Sequence, residues 1–382
     1  MTSEIDSTLL LLQDLVSIDS VNPSLVAGAR GEAEIARRIA SECTAAGLTV
    51  HITEVAPNRP NIVGVLEGRS PGPTLMFCGH TDTVGVAGMA APFDPIQADG
   101  RLYGRGAQDM KGGVAAMLGA ARAVVEGGGL ACGKLIVASV VDEEHASLGA
   151  DALVARWRAD AAVITEPTDL DVAIAHKGFQ WIEIETRGQR AHGSRPKDGR
   201  DAIFRMGRVI GRLESLDRRL QAQPVHPLLG TASLHASTIV ANGEMSSYPA
   251  RCLMQLERRT LPGESHGAGL QEVEVILDRL RNDDWEFDGC ARLMSGREPY
   301  EIERAHALPR ALGRAATSVG FHARRVGMTY WSDAAVLGAA GIPSVLFGPG
   351  GAGLHSSEEY VQLKDVCTCR DTLVALVRDF TR

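Results

Sequence analysis

The stretch MFCGHTDTVG, residues 76–85, begins as an apolar run and then places an imidazole, His80, two residues before a carboxylate, Asp82. A turn is one explanation, since Gly, Thr and Asp are common where strands end. The other explanation is a metal ligand with an orienting carboxylate, because a ligating imidazole usually donates its second N–H to such a group. The remainder of the chain decides between the two.

Apolar runs on both sides of this stretch alternate with helical patterns. After the run at 74–78, Val114, Met117, Leu118, Ala121 and Val125 recur at helical spacing, and glycines 127–129 end the pattern. The runs are NIVGVL (61–66), TLMFC (74–78), KLIVASVV (134–141) and AAVIT (161–165). Strands that are apolar throughout and separated by helices indicate a parallel sheet covered on both faces. Functional sites of such sheets lie beyond the carboxyl ends of the strands.

The pattern changes near residue 173. AIAHKGFQWIEIETRG (173–188) alternates apolar and polar residues, and a helix is predicted at about 198–215. Two strands (233–240 and 252–260), a helix near 267–282 and a strand around 290 follow, which gives the β-α-β-β-α-β order of a ferredoxin-like layer. We therefore predict an α/β protein with a mostly parallel-sheet catalytic domain and an inserted ferredoxin-like α+β lid. The predicted domains are residues 1–177 and 297–382 for the catalytic part and 178–296 for the lid.

Length and composition restrict the class of protein. The 382 residues exceed what one core usually holds, and the net charge of −8, without a dense run of Lys or Arg, argues against nucleic acid as a partner. The N-terminal stretch MTSEIDSTLLLLQDLVSI reads as an amphipathic helix capped near Ser3 and not as a signal peptide, and no apolar run is long enough to span a bilayer. Seven irregularly spaced cysteines favour a reduced, cytoplasmic protein.

Further acidic and imidazole side chains follow the predicted strands. These are Asp109 in GRGAQDMKGG, Glu143 and Glu144 after LIVASVVD, Glu166 after AAVIT, and His355 after PSVLFGPGGAGL. Each has an ordinary explanation, as a helix cap, a solvated turn or a loop histidine. Their recurrence at one edge of a sheet is not explained in that way, because the charges would repel each other. A cation among them removes the conflict.

The number of these side chains favours two metal ions. Two His and three carboxylates exceed the four ligands of a closed structural zinc site, which also prefers Cys. Shared between two ions, with one bridging carboxylate, they leave an open position for water. One acid of the pair Glu143 and Glu144 is then spare, so one would be a ligand and its neighbour a general base.

Five motifs together resemble the M20 metallopeptidase family, in the same order and at similar separations: GHTDTV, GRGAQDMKGG, VVDEEHASLG, ITEPTD and GPGGAGLHSSEEYV. That family includes acetylornithine deacetylase, succinyl-diaminopimelate desuccinylase, aminoacylase and glutamate carboxypeptidase. The resemblance implies that His80, Glu166 and the bridging Asp109 hold one zinc ion. It also implies that Asp109, Glu144 and His355 hold the second, that Asp82 orients His80, and that Glu143 is the base.

The lid contributes further candidates through the same resemblance. His192 in RGQRAHGSRP is similar to a lid histidine that stabilises the oxyanion, often in the partner subunit. Arg259 in LERRTLPGE resembles an arginine that binds the substrate carboxylate, although pairing with Glu257 or Glu264 is an alternative. Ser246 of SSYP stands where relatives carry an asparagine that helps to hold substrate. Backbone N–H groups of the glycine-rich loop around Gly350 are expected near the same carboxylate.

The function expected from these residues is hydrolysis of the amide bond of an N-acyl amino acid by a cytoplasmic di-zinc enzyme of the acetylornithine deacetylase and desuccinylase branch. Co²⁺ or Mn²⁺ can replace zinc in this expectation, and a homodimer forms through the lid. A dipeptidase or carboxypeptidase of the same chemistry is the nearest alternative, and a non-catalytic binding protein of the same fold is a remote one. FGPGGAG (347–353) lacks the Lys-Ser/Thr of a phosphate-binding P-loop, which argues against a nucleotide-binding module.

Overall fold

A computed structural model describes residues 6–86, 88–223 and 226–381 of the chain. The chain forms two compact units. The first contains residues 6–174, 302–326 and 332–381, and the second contains Ala175–Glu301 and Gly327–Trp331. The last of these segments belongs to the lid unit, whereas the division predicted from the sequence placed it in the catalytic domain.

Helices and strands are numbered in chain order. The helices are α1 (Ser7–Ser17), α2 (Ala33–Ala45), α3 (Gly112–Glu126), α4 (Leu148–Arg156), α5 (Ala202–Ala222), α6 (Ala268–Asp283), α7 (Ala307–Ser318), α8 (Ala334–Ala339) and α9 (Leu363–Phe380). The strands of the first half are β1 (Thr49–Ala56), β2 (Arg59–Glu67), β3 (Thr74–His80), β4 (Ile96–Ala98), β5 (Arg101–Tyr103), β6 (Lys134–Val140), β7 (Ala161–Ile164), β8 (Val172–His176) and β9 (Gly178–Arg187). The remaining strands are β10 (Ser233–Ala241), β11 (Arg251–Thr260), β12 (Gly289–Arg297), β13 (Tyr300–Glu301), β14 (Arg325–Met328), β15 (Ser344–Leu346), β16 (Gly351–Ala352) and β17 (Tyr360–Gln362).

The main sheet of the first unit follows the order β1-β2-β6-β3-β7-β15-β8. Its middle strands β6, β3, β7 and β15 are parallel, as the sequence predicts. The flanking strands β1, β2 and β8 run antiparallel to their neighbours, so the sheet as a whole is mixed. The carboxyl ends of the parallel strands therefore lie along one edge, and this edge positions the candidate site.

Helix α3 starts directly against that edge. A Cβ at Gly113 would lie 1.8 Å from the carbonyl oxygen of Thr165, which follows β7, so only glycine allows this approach. The buried face of α3 packs against α9 and α1. The helix covers Gly112–Glu126 and so contains the residues from Val114 to Val125 that recur at helical spacing, and it ends at the predicted glycines.

The first helix, α1, begins at Ser7, and its N-cap is Asp6, whose carboxylate accepts the backbone N–H of Thr8 at 2.9 Å. The predicted cap, Ser3, lies outside the described residues. No helix among the described residues is both long and apolar enough to cross a membrane.

The second unit contains a four-stranded antiparallel sheet in the order β10-β11-β9-β12. With α5 and α6 it has the ferredoxin-like order predicted from the sequence. Residues alternate along β9 and β11 between a face buried under the two helices and an open face. The chain leaves and re-enters this unit at adjacent places, since Ala175 pairs with Glu301 and His176 with Tyr300.

Candidate metal centre

The predicted ligands and base of the first unit converge at the carboxyl edge of its parallel strands. His80 is the last residue of β3, Glu143 and Glu144 follow β6, and Glu166 follows β7. All four are largely or fully buried. The apolar strands hold their ends in register, so side chains distant in the sequence lie close together.

Asp109 lies between the two histidines. Its Oδ1 is 3.0 Å from His80 Nε2, and its Oδ2 is 3.2 Å from His355 Nε2. The residue precedes α3 in a turn of non-helical backbone, with φ −116° and ψ 98°. A carboxylate whose two oxygens face different imidazoles has the arrangement that a bridging ligand requires.

Two groups of side chains could each hold a metal ion. In His80, Asp109 and Glu144, one ligand atom from each residue lies within 4.8 Å of the others, and the same is true of His80, Glu143 and Glu166. His355 joins the first group, with its Nε2 3.2 Å from Glu144 Oε2. The predicted base Glu143 therefore lies beside His80 and Glu166, and its Oε2 is 3.9 Å from His80 Nε2.

The charges of this cluster favour a bound cation. Burial raises the pKa of Glu143 and Glu166 well above the usual range, and it raises the pKa of Glu144 with a further contribution from Asp109. Hydrogen bonds to Asp109 and Glu144 raise the pKa of His355 to about 10. These directions reflect buried negative charges without enough compensating positive charge. The Oε1 atom of Glu144 is buried and has no hydrogen-bond partner among the described residues.

These donor atoms fit zinc. Imidazole nitrogens and carboxylate oxygens are ordinary zinc ligands, and a buried carboxylate oxygen without a partner is satisfied when it coordinates an ion. The cluster could therefore hold metal ions; His80 belongs to both groups, and the second group contains the predicted base Glu143 in place of Asp109.

Asp82 contacts His80 differently from the expectation. The imidazole Nδ1 is 3.0 Å from the backbone carbonyl of Asp82, whereas the carboxylate Oδ1 is 3.6 Å away. The carboxylate instead accepts the backbone N–H groups of Glu143 and Glu144. The main chain of Asp82 therefore orients the ring, and its side chain holds the turn after β6.

Sequence reasoning missed Glu359, which supports Asp109. This fully buried carboxylate accepts the backbone N–H groups of Gly106, Gln108 and Asp109 at 2.9–3.0 Å. Glu359 is the second of two adjacent glutamates in the motif GPGGAGLHSSEEYV. The sequence does not indicate that only the second of them is buried.

Lys111 is a second buried residue near this loop that sequence reasoning did not select. It is fully buried, and its Nζ donates to the carbonyl oxygen of Ile18 at 2.8 Å. Burial lowers the pKa of Lys111 to about 7. Its contact ties the loop that carries Asp109 to the segment after α1.

Two lid candidates lie together in the second unit. His192 pairs with Ser247, and the backbone N–H of Gly193 donates to the carbonyl oxygen of Ser246 at 2.7 Å. Both His192 and Ser246 are exposed, and Nδ1 of His192 is 2.8 Å from the hydroxyl of Ser194.

Arg259 pairs with Glu257, which is one of the alternatives that the sequence left open. Its Nε donates to Glu257 Oε1 at 2.6 Å, and its guanidinium lies over the ring of Phe179. Arg258 points to the opposite face, where it is buried and pairs with Glu264 and Glu272. A substrate carboxylate would have to compete with Glu257 for Arg259.

Gly350 of the first unit is buried, and its neighbours are acidic. A Cβ at Gly350 would lie 2.6 Å from Asp169 Oδ1 and 2.8 Å from Asp365 Oδ2, and its backbone N–H donates to Asp365. Two carboxylates would repel an anionic substrate at this position, so the contact expected from the glycine-rich loop has no support at Gly350.

Comparison with known proteins identifies the family. Residues 76–379 match the peptidase family M20/M25/M40. The acetylornithine deacetylase of Myxococcus xanthus is 30% identical over 345 residues, which is 86% of each chain. A deformylase of Bacillus subtilis that acts on N-formyl-4-amino-5-aminomethyl-2-methylpyrimidine is 27% identical and covers 93% of this chain and 90% of its own.

A solved structure shows the same fold. The tripeptidase of Staphylococcus aureus superposes with a TM-score of 0.82 over 98% of both chains, at 22% sequence identity. The chain therefore belongs to the peptidase family M20/M25/M40, whose members hydrolyse amide and peptide bonds.

Proposed function

We propose that the protein is a di-zinc amidohydrolase that removes the acyl group from an N-acyl amino acid. The observation that carries the proposal is the cluster in which the two carboxylate oxygens of Asp109 face His80 and His355. Similarity over most of the chain to the acetylornithine deacetylase of Myxococcus xanthus supports a deacylase within the family.

In this proposal the ions share one bridging carboxylate. His80, Glu166 and Asp109 would hold one zinc ion, and Asp109, Glu144 and His355 would hold the other. Bound zinc supplies an acidified water and polarises the carbonyl of the scissile amide. The buried strand ends hold the ligands in place before the metal binds, which lowers the reorganisation that binding requires.

Glu143 acts as the general base. Its carboxylate accepts a proton as the water attacks the carbonyl carbon and then donates that proton to the leaving amine nitrogen. Its position supports this role, since Glu143 Oε2 is 3.9 Å from Nε2 of the proposed ligand His80. His192 donates to the oxyanion, and Arg259 binds the α-carboxylate after exchanging Glu257 for the substrate.

His192 and Arg259 are too far apart in one lid to contact the same small substrate. His192 pairs with Ser247 in the loop that precedes Arg251, the first residue of β11, whereas Arg259 lies eight residues along that strand. At about 3.3 Å per residue this is roughly 26 Å, far longer than an N-acyl amino acid. We therefore propose that His192 serves the site of the partner subunit in a homodimer.

The lid offers a surface for that homodimer. Strand β10 is an edge of the lid sheet, and Ile239 and Val240 on it are more than half exposed. Ile203, Phe204 and Ile210 of α5 are also exposed. An open strand edge beside exposed apolar side chains is a common dimer surface, which two-fold symmetry covers with its own copy.

Mixing two inactive variants tests the exchange of His192. His192→Ala and Glu143→Gln chains should be nearly inactive alone. After subunit exchange, half of the dimers are mixed and each contains one complete site, so activity should return to roughly a quarter of wild type. A mixture that stays inactive, although mass spectrometry detects mixed dimers, would place His192 in the site of its own chain.

A dipeptidase or carboxypeptidase is the second candidate, because the tripeptidase of Staphylococcus aureus shares the fold. Turnover of N-acetyl, N-succinyl and N-formyl amino acids beside dipeptides, with metal analysis of the same preparation, distinguishes the candidates. Hydrolysis of dipeptides alone would contradict the deacylase. The cytoplasm is the proposed location, because all seven cysteines are free thiols.

A further inference from the structure

The Asp82 carboxylate is bonded to the turn that follows β6. Its Oδ1 accepts the backbone N–H of Glu143 at 3.1 Å, and its Oδ2 accepts the backbone N–H of Glu144 at 3.2 Å. Both contacts are shorter than the 3.6 Å that separates the carboxylate from His80 Nδ1. A single side chain therefore holds two successive residues of the turn.

Asn22 fixes this carboxylate from the other side. Its Nδ2 donates to Asp82 Oδ2 at 2.7 Å and to Asp142 Oδ1 at 3.1 Å. Asn22, Asp82 and Asp142 are each at most 1% exposed. Because buried polar groups are costly to leave unpaired, this amide is held in one orientation between the two carboxylates.

Asp142 is also bound by Arg59, whose Nη1 is 2.8 Å from Asp142 Oδ1 and whose guanidinium pairs with buried Glu32. Asp142 begins the turn with φ 68°, in the left-handed region. The turn after β6 is therefore held by side chains from three other parts of the chain, at residues 22, 59 and 82.

We infer that Asp82 and Asn22 are positioning residues for Glu143 and Glu144, and that the Asp82 carboxylate acts through the backbone of this turn. The inference rests on the proposed function, in which these adjacent glutamates have different roles. Adjacent side chains point in different directions, so a small rotation of the turn would displace the base and the metal ligand together. Two hydrogen bonds to successive N–H groups prevent that rotation.

Asn22→Ala tests the inference, because Asn22 touches Asp82 and Asp142 and has no hydrogen bond to His80. Loss of supporting contacts of this kind costs about 10- to 100-fold in activity or metal affinity. We expect kcat to fall in that range with KM nearly unchanged. By isothermal titration with Zn²⁺, one of the two metal equivalents should bind about 10-fold more weakly.

Asn61→Ala is the matched control. Asn61 is also buried and holds the same loop, through Val141 and Gly149, without touching Asp82 or either glutamate. It should leave the zinc affinity within about 3-fold of wild type, a difference of less than 1 kcal/mol. Equal losses of zinc affinity in Asn22→Ala and Asn61→Ala would overturn the inference, because both variants would then act through general loosening of the loop.

A double variant separates the turn from His80. In a Glu143→Gln background the base is already absent, so at a zinc concentration that fills both metal positions Asn22→Ala should cost less than about 3-fold of the residual kcat. The same factor in both backgrounds would contradict the assignment. If Asn22→Ala does not fold, Asp82→Asn replaces it in this comparison of the two backgrounds. Asparagine keeps the buried volume but directs an amide N–H₂ at the backbone N–H of Glu143 or Glu144.

The zinc titration also separates this inference from the proposed function. A wild-type protein that binds two zinc ions but hydrolyses no N-acyl amino acid or peptide would defeat the proposed function. The difference in zinc affinity between Asn22→Ala and Asn61→Ala would still test the positioning of Glu144.

Discussion

Arg105 donates through Nη1 to Glu359 at 2.6 Å, and both side chains are at most 2% exposed. Arg105 also reaches the carbonyl oxygens of Gly85 and Ser356, while Glu359 holds the loop that carries Asp109. One buried ion pair therefore ties together the loop of Asp109 and the loop of His355, the residues on the two sides of the proposed second zinc.

Glu359→Gln should destabilise the protein and weaken zinc binding. Removing one charge of a buried pair leaves the other uncompensated, which typically costs about 3–5 kcal/mol. Urea unfolding and zinc titration measure the two effects. The adjacent, exposed Glu358→Gln is the control and should change neither. Wild-type zinc affinity in a folded Glu359→Gln protein would exclude a role of Glu359 in positioning Asp109.

Glu143→Gln should reduce turnover by about 100- to 10,000-fold, because glutamine keeps the shape of the side chain but cannot accept a proton. Both zinc ions should remain bound, as measured by metal analysis of the purified protein. Glu144→Gln should lose metal instead. If Glu143→Gln loses metal and Glu144→Gln keeps it, the roles of the two glutamates are reversed.

Asp109→Ala should reduce the occupancy of both metal positions, whereas His355→Ala should mainly empty one. The reason is that Asp109 faces both imidazoles, while His355 contacts only Asp109 and Glu144 within this cluster of described residues. Zinc content after dialysis against a defined free-zinc buffer measures the difference. Two equivalents retained by Asp109→Ala would disprove the bridging role.

The contribution of His355 to the stability of the metal-free protein should fall as pH rises from about 6.5 to about 10. Hydrogen bonds to Asp109 and Glu144 raise the pKa of His355 to about 10, whereas an unfolded histidine titrates near about 6.5. The folded-state pKa is the higher one, so this stabilisation is complete below pH of about 6.5 and is lost as pH rises toward 10.

Thermal unfolding of the chelator-treated protein across that pH range measures the effect. His355→Gln should remove this part of the pH dependence, while the exposed His322→Gln should leave it unchanged. An identical pH profile for wild type and His355→Gln would contradict the prediction.

Arg259→Lys should lower kcat/KM by roughly 10- to 100-fold on an N-acyl amino acid, because lysine cannot form the paired hydrogen bonds to a carboxylate. It should have little effect on the matched C-terminal amide. Glu257→Gln should raise kcat/KM on the acid alone, since it weakens the pair that occupies Arg259. Equal effects of either variant on acid and amide would show that Arg259 has a structural role.

The parts of the fold that could be predicted from the sequence are those in which the spacing of apolar residues indicates which side chains are buried. The strands β2, β3, β6 and β7 are apolar runs, and the lid strands alternate, so both the parallel centre and the ferredoxin-like order could be identified. The convergence of His80, Glu143 and Glu166 followed from one rule, that parallel strands share a carboxyl edge. The edge strand β1 and the helices α2 and α7 were not identified, and β1 pairs antiparallel to β2 in a way that local pattern does not determine.

The supporting contacts of the site could not be predicted for a different reason. Glu359 acts on a loop about 250 residues away in the sequence, and Asn22 acts 60 residues away on Asp82. Glu359 binds backbone N–H groups, and Asn22 binds buried carboxylates. Both residues lie in irregular segments, where no helical or strand periodicity indicates which side chains are buried. For Arg259 the sequence offered two partners, and the choice of Glu257 depends on strand geometry, since both residues lie on the open face of β11.

The pairing of Ala175 with Glu301 and of His176 with Tyr300 makes the lid a cassette with neighbouring ends. Directly opposed residues of antiparallel strands have Cα atoms only about 4.5–5.5 Å apart, a gap that a two-residue hairpin turn can close. The segment Ala175–Glu301 could thus be exchanged for that of a relative, provided that Gly327–Trp331, which belongs to the same unit, is exchanged with it. Recombination at these paired residues would allow related proteins to change the substrate that they recognise while the residues of the candidate metal centre stay the same.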